Sequence, residues 1–417
     1  MTHNVLHKMG AIGIVILILA MAIGIAPQQA TAAPAQQAEA TTWTVLTGAQ
    51  AEVQQTEAGP AGAWQLLRFY PDNITINVGD TIVWKLNSAE PHTVTFAAPG
   101  EQPPSLTVPE GGDSQRILMN PLAVLPQGTD VYTGTVLTGS GQLGGGPGFP
   151  TEYRLTFTQA GTYDYNCIFH STMTGNVVVQ DAGSAYPKTQ AQIDADAQAQ
   201  IAADTQAAMQ AEAQAQQVTN QPGSNGTTVY AANLGWGNGT LAYMRFSPQD
   251  LTIHVGDTVE WTAKDVEMPH TVTFTSGDAV PEFILTEPQQ SGPPKLVINP
   301  QVAAPAGGDT YSGTGYFNSG LIWGTKVPIP GPRTYSLVFD TPGTYDYVCV
   351  IHDEIGMVGT ITVLAGSDAS QASTPSQLPV TGGPGTPPGP WWLLIVGAGV
   401  LVGGMLLVTM RRRTLGG

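Results

Sequence analysis

Cysteine is scarce in this chain of 417 residues, which contains only Cys167 and Cys349. In an exported protein a single disulfide between the two is the simplest interpretation, because disulfides persist outside the cytoplasm. The alternative is that each thiol serves a separate site in its own half of the chain.

Charge is also scarce, since only 11% of the residues are charged, and basic residues are the rarer kind. Fourteen Lys and Arg face 31 Asp and Glu, which gives a net charge of −17. This acidic balance excludes nucleic acid as a partner. Abundant Gly and Pro, together with short β-branched runs, favour strands and turns over long amphipathic helices, so the composition predicts an all-β fold.

The two ends of the chain carry the long apolar runs. Residues 1–32 have the order typical of a signal peptide, and residues 391–410 predict a transmembrane helix followed by a basic cytoplasmic tail, 411–417. A Pro/Gly-rich stalk, 365–390, precedes that helix and contains LPVTG at 378–382. This order resembles the sorting signal of sortase-attached wall proteins, with a plain membrane anchor as the alternative. Both predict an extracytoplasmic protein at the cell surface.

The chain contains an internal repeat. Pro91–Phe96 recurs as Pro269–Phe274, and Gly161–Tyr165 recurs as Gly343–Tyr347. Colinear recurrence with a slight drift in spacing indicates two copies of one domain.

The repeat places the domains at 41–181 and 227–364. The intervening segment, 182–226, is dominated by Ala and Gln and is predicted to be a linker. Its middle, residues 189–217, could form a solvated helix of about 40 Å. We therefore expect the domains to be spaced apart rather than fused.

Each copy contains a Cys-x-x-His motif, a following Met, and one His some 75–79 residues upstream of the Cys. A thiolate and two imidazoles with a weak thioether on the axis form the ligand set of blue-copper electron-transfer sites. The candidate metal ligands are His92, Cys167, His170 and Met173 in the first copy, and His270, Cys349, His352 and Met357 in the second. Intact ligand sets in both copies argue against the disulfide.

Both copies resemble cupredoxins of the plastocyanin and amicyanin type in the order and spacing of these motifs. The resemblance implies two Greek-key β-sandwiches and one type 1 copper in each, two in total. The segments 97–150 and 275–331 are longer than in a minimal plastocyanin, and they could form added strands or a lid beside the copper. His254 alternates with apolar neighbours and is predicted to be a surface side chain.

The histidine count bears on whether the protein is an enzyme. His3 and His7 lie in the targeting segment, and four of the other five histidines are assigned to copper. Too few imidazoles remain for a catalytic copper cluster, and one cysteine per copy excludes a binuclear purple-copper site. We therefore expect a one-electron carrier that exchanges electrons with redox proteins at the membrane or cell surface. The alternative is extracytoplasmic copper sequestration or delivery.

Overall fold

The computed structural model describes residues 40–51, 64–111, 113–146, 148–327 and 331–366. The predicted signal peptide and the predicted C-terminal helix lie outside these ranges. Within them, no helix is long and apolar enough to cross a membrane.

The first repeat consists almost entirely of strands. Its elements are β1 (Thr42–Ala51), β2 (Trp64–Tyr70), β3 (Asn73–Asn77), β4 (Thr81–Leu86), β5 (Thr95–Phe96), β6 (Thr107–Glu110), β7 (Asp113–Met119), the single-turn helix α1 (Pro121–Val124), β8 (Val131–Tyr132), β9 (Thr138–Gly139), β10 (Glu152–Phe157), β11 (Gly161–Asn166) and β12 (Thr174–Gln180). A long helix, α2 (Gln190–Ala215), follows.

The second repeat has the corresponding elements in the same order, and three short elements without a counterpart in the first repeat are added. They are β13 (Gln221–Pro222), a 3₁₀ turn (Ser224–Gly226), β14 (Thr228–Gly237), β15 (Leu241–Ser247), β16 (Asp250–His254), β17 (Thr258–Ala263), β18 (Thr273–Phe274), β19 (Ile284–Glu287), β20 (Lys295–Ile298), α3 (Pro300–Ala303), β21 (Pro305–Ala306), β22 (Thr310–Tyr311), β23 (Phe317–Ser319), β24 (Thr334–Phe339), β25 (Gly343–Val348) and β26 (Val358–Leu364). The all-β prediction is confirmed in its coarser form, since the fold is mostly β and α2 is the one long helix among the described residues.

Each repeat packs two sheets over one core. In the first repeat the strand orders are β2-β1-β4-β10-β8 and β3-β12-β11-β5-β9. Strands with alternating apolar residues turn one face inward; Ile74 and Ile76 of β3 are buried in this way. Trp84 and Tyr165 fill the centre, with Trp261 and Tyr347 at the matching positions of the second core.

The two domains share one sheet, so the expectation of spaced domains is wrong. Strand β2 pairs antiparallel with β15, and this pairing joins the first sheet of each domain into a continuous sheet. The register places Leu66 opposite Leu241 and Trp64 opposite Tyr243. Edge strands offer unpaired backbone groups, and here each domain covers the edge of the other.

The linker helix α2 forms, but it is not a free solvated spacer. Thr189 and Gln192 make a capping box at its start. Ala197 and Ala208 are buried in a cluster with residues of β1, β2 and β15, so the helix covers the sheet where the two domains meet. Asp204 of the helix accepts a hydrogen bond of 2.7 Å from the Tyr70 hydroxyl.

The long insertions supply added strands. Hairpin β6–β7 of the first domain and hairpin β19–β20 of the second form one four-stranded sheet, joined where Val297 pairs with Leu118. Two salt-bridge contacts cross this junction, Arg116 to Glu287 and Lys295 to Glu110. The insertions therefore make a second connection between the domains.

Candidate metal centres

The first histidine of each site is fixed by backbone pairing with the insertion. The His92 amide donates to the carbonyl of Leu143 at 3.0 Å, and the Leu143 amide donates back at 2.8 Å. His270 and Ile322 make the same pair in the second domain, with both distances 2.9 Å. The insertion thus holds the ligand strand in place, which the sequence alone did not indicate.

The cysteine loop is closed by its own backbone. Cys167 follows the last residue of β11, and its amide donates to the carbonyl of Met173 at 2.9 Å. The amide of Cys349 donates to the carbonyl of Met357 at 3.0 Å, although two more residues separate this pair. The same hydrogen bond therefore closes the loop in both domains, and the second loop accommodates its two extra residues between the cysteine and the methionine.

A threonine after each first histidine ties the two ligand segments together. The Thr93 amide points at Cys167 Sγ at 3.4 Å, while the Thr93 hydroxyl accepts from the Ile168 amide at 2.8 Å. Thr271 makes the equivalent contacts with Cys349 Sγ at 3.4 Å and with the Val350 amide at 2.9 Å. Sequence reasoning missed these threonines, although the repeated Pro-His-Thr-Val-Thr-Phe block contained them.

The nitrogen and sulfur donors converge in both domains. In the first, Cys167 Sγ lies 3.7 Å from His92 Nδ1 and 3.5 Å from His170 Nδ1, and the two Nδ1 atoms are 3.1 Å apart. In the second, Cys349 Sγ lies 3.8 Å from His270 Nδ1 and 3.4 Å from His352 Nδ1. Each trio forms a compact group that could hold one metal ion.

Met173 and Met357 are buried in the same core clusters as the cysteines of their domains, with 1% and 0% of their surface exposed.

His254 lies at the end of β16 and is exposed, as predicted. Both cysteines are free thiols, so the simplest interpretation of the cysteine pair, an inter-domain disulfide, is wrong.

Burial sets the electrostatics of both sites. Desolvation lowers the pKa of His170 and of His270 to about 3, and it lowers the pKa values of His92 and His352 well below their usual range. These imidazoles are therefore neutral at physiological pH, with lone pairs available to a metal. Burial also raises the pKa of Cys167 to about 11, so the thiolate needs a nearby cation.

The donor chemistry fits copper. A soft thiolate beside two neutral imidazoles suits Cu(I) and Cu(II). A hard cation would require carboxylate oxygens, and neither group of converging donors among the described residues contains one.

The two sites differ behind the first histidine. His92 Nε2 lies 2.8 Å from Ser88 Oγ. His270 Nε2 is buried and has no hydrogen-bond partner among the described residues. The position four residues before His270 is occupied by Val266 in place of a serine.

The model of the copper-binding plastocyanin/azurin family matches two regions of the chain, 56–180 and 234–364. Plastocyanin from Scenedesmus fuscus is 34% identical over 130 residues, which are 31% of this chain and 94% of that protein. Amicyanin from Paracoccus denitrificans is 29% identical over 114 residues, which are 27% of this chain and 60% of that protein.

One solved structure similar to this chain is a Cu(I) form of a methionine-to-glutamine mutant of amicyanin. It is 23% identical with a TM-score of 0.19, and the match covers 33% of this chain and 82% of that one. A mutant plastocyanin of fern has 19% identity and the same TM-score, covering 33% of this chain and 99% of that one. The two family matches together span more than half of the sequence. The chain therefore belongs to the plastocyanin/azurin family of copper-binding proteins, with one copper site in each of its two matched regions.

Proposed function

We propose that the protein is a one-electron carrier with a type 1 copper in each domain. The proposed ligands are His92, Cys167, His170 and Met173 in the first site, and His270, Cys349, His352 and Met357 in the second. When bound, copper supplies the one-electron Cu(I)/Cu(II) couple. The observation that carries the proposal is the convergence of two Nδ1 atoms and one Sγ atom at the same place in both repeats.

The chain's own residues support electron transfer by holding the donors still. The two His–Cys–His groups are buried, and backbone hydrogen bonds close both cysteine loops. The amides of Thr93 and Thr271 direct a dipole at each sulfur. Donors that are held in fixed positions rearrange little between oxidation states, so an electron enters or leaves the site rapidly. The similarity to plastocyanin and amicyanin agrees with this role.

Loading the protein with Cu(II) tests the proposal. We expect two thiolate-to-copper absorption bands with the matching EPR signals, and we expect Cys167→Ser and Cys349→Ser to remove one band each. His254→Ala changes an exposed histidine outside both groups and serves as the matched control. A colourless Cu(II)-loaded protein would rule out type 1 sites. Two blue sites that release copper readily to a chelator, with slow electron self-exchange, would favour copper delivery instead.

We further propose that the protein works at the cell surface, anchored through residues 391–410 and exchanging electrons with redox proteins there. This part rests on the sequence pattern, because those residues lie outside the described ranges. Protease treatment of intact cells should degrade the copper domains, and deletion of 378–417 should release them to the medium. Protection of the domains in intact cells would contradict a surface location.

A further inference from the structure

The copper loop of the first domain is covered by the second domain. Ser171 Oγ donates to Glu267 Oε1 at 2.8 Å, and Thr172 Oγ1 donates to the carbonyl of Gly239. In the same loop, Phe169 packs against a buried cluster that includes Ile298 of the second domain. His170 lies between these contacts and is only 1% exposed. Its imidazole is therefore closed off from solvent by the other domain.

The copper loop of the second domain also meets the first domain, through an apolar contact. Ile355, within that loop, packs against a buried cluster that contains Leu67 of the first domain with Met244 and Met268 of the second. His352 is only 2% exposed. Its Nε2 atom is buried and has no hydrogen-bond partner among the described residues. The unpartnered ring edge thus lies inside the protein, away from any surface where a redox protein could dock.

Hydrogen bonds join the ligand segments of the two sites. Ser171 directly follows the ligand His170, and its partner Glu267 lies three residues before the ligand His270. The Thr172 amide also donates to Glu267 Oε2 at 3.5 Å. The loop that carries His170 therefore packs directly on the segment that leads into the second site.

We propose that the two copper sites face each other across the domain interface and exchange electrons directly through His170 and His352. This inference rests on the proposed function. In the step, one electron leaves Cu(I) in one site, which becomes Cu(II), and reduces Cu(II) in the other site to Cu(I). No bond forms or breaks and no proton moves. The protein is then a two-site relay, and external redox partners contact it away from these two histidines.

EPR of the full chain loaded with two Cu(II) ions tests the proximity of the sites. Cys167→Ser and Cys349→Ser each leave one thiolate copper and give the reference spectra. We expect dipolar broadening in the doubly loaded protein that the sum of the two single-site spectra does not reproduce. A spectrum equal to that sum would overturn the proposal while leaving the electron-carrier function intact. Absence of blue copper in either single-site variant would instead count against the proposed function.

Reduction kinetics test the exchange itself. The Cu(II)-loaded proteins are mixed with a small inorganic reductant, and each band is followed separately. In the doubly loaded protein we expect the slower site to be reduced at least about tenfold faster than the same site in the variant that lacks the other site. Transfer within one chain needs no second encounter with the reductant. A slower site that is reduced at the same rate with and without its neighbour would overturn the proposal.

Discussion

At the scale of single residues, the two sites differ in what lies behind the first histidine. His92 Nε2 meets Ser88 Oγ, whereas His270 Nε2 is buried without a described partner. A ligand imidazole that donates its outer N–H to an acceptor becomes a stronger donor to its metal. A stronger donor stabilises Cu(II) over Cu(I). We therefore expect the first site to have the lower reduction potential, and electrons at equilibrium to favour the second.

Removing the serine hydroxyl tests this difference. We expect Ser88→Ala to raise the potential of the first site by about 40 mV, which corresponds to a net hydrogen-bond contribution of about 1 kcal/mol in a one-electron couple. Val266→Ser, the reciprocal change, should lower the potential of the second site. Redox titration of each band measures both shifts. An unchanged or lower potential in Ser88→Ala would show that this hydrogen bond does not tune the site.

The sequence predicted the residues that converge in the His–Cys–His groups because the repeat showed each of them twice in the same order. It did not predict the contact between Ser88 and His92. The second copy has no serine at the corresponding distance before His270, so the repeat did not single Ser88 out. Thr93 and Thr271 were visible in the repeat, but their role depends on a strand and a loop some 75 residues apart in sequence. Only the folded chain shows which side chains lie behind a ligand.

At the scale of elements, helix α2 shows where the sequence pattern was insufficient. Its Ala and Gln composition predicted a helix, but it carries no broad apolar stripe from which packing could be inferred. The buried face consists largely of alanines, whose small side chains let the helix approach the sheet closely. The insertions posed a similar difficulty, because strands that pair with the other domain have no partner within their own repeat.

Enlarging the alanine face of α2 tests its packing. Ala208 is fully buried against the sheet, so we expect Ala208→Leu to lower the free energy of unfolding by about 1–3 kcal/mol through overpacking. Ala207→Leu is the matched control, because Ala207 is exposed on the same helix and Ala and Leu have similar helix propensities. Denaturant unfolding compares the two. Equal stability of both variants would mean that the helix does not pack on the sheet in solution.

At the scale of the whole molecule, each domain buries a carboxyl group shortly before its first histidine ligand in the sequence, Glu90 before His92 and Asp265 before His270. Burial raises the pKa of Asp265 to about 6, with a further contribution from Glu267, while its Oδ1 accepts from two backbone amides. Asp265 in turn raises the pKa of Glu90, a buried residue of the first domain. A carboxyl whose pKa is higher in the folded state destabilises the protein once the unfolded chain has ionised. Protonated Asp265 therefore contributes to the free energy of unfolding in acid, and this contribution is lost as pH rises from about 4 to about 6.

Replacing Asp265 with Asn removes this titration and keeps an oxygen for the two amides. We expect the stability of Asp265→Asn relative to the native protein to increase by about 3 kcal/mol between pH 4 and pH 7. Chemical denaturation across this range measures the difference. Asp278→Asn, at an exposed position of the same domain, is the control for the loss of one negative charge. A constant difference between Asp265→Asn and the native protein would contradict a raised pKa at this position.

The continuous sheet, the covering helix and the shared hairpin sheet connect the domains through three separate elements. Opening one domain would expose the edge strand and the apolar surface that the other covers, so we expect the metal-free protein to unfold in one calorimetric transition. Ile361→Val in the second core provides the test, since Ile361 is fully buried and the change should cost about 1 kcal/mol. In a coupled molecule the whole transition moves to lower temperature. If the domains unfold independently, only the part of the heat that belongs to the second domain moves, and the transition splits in two.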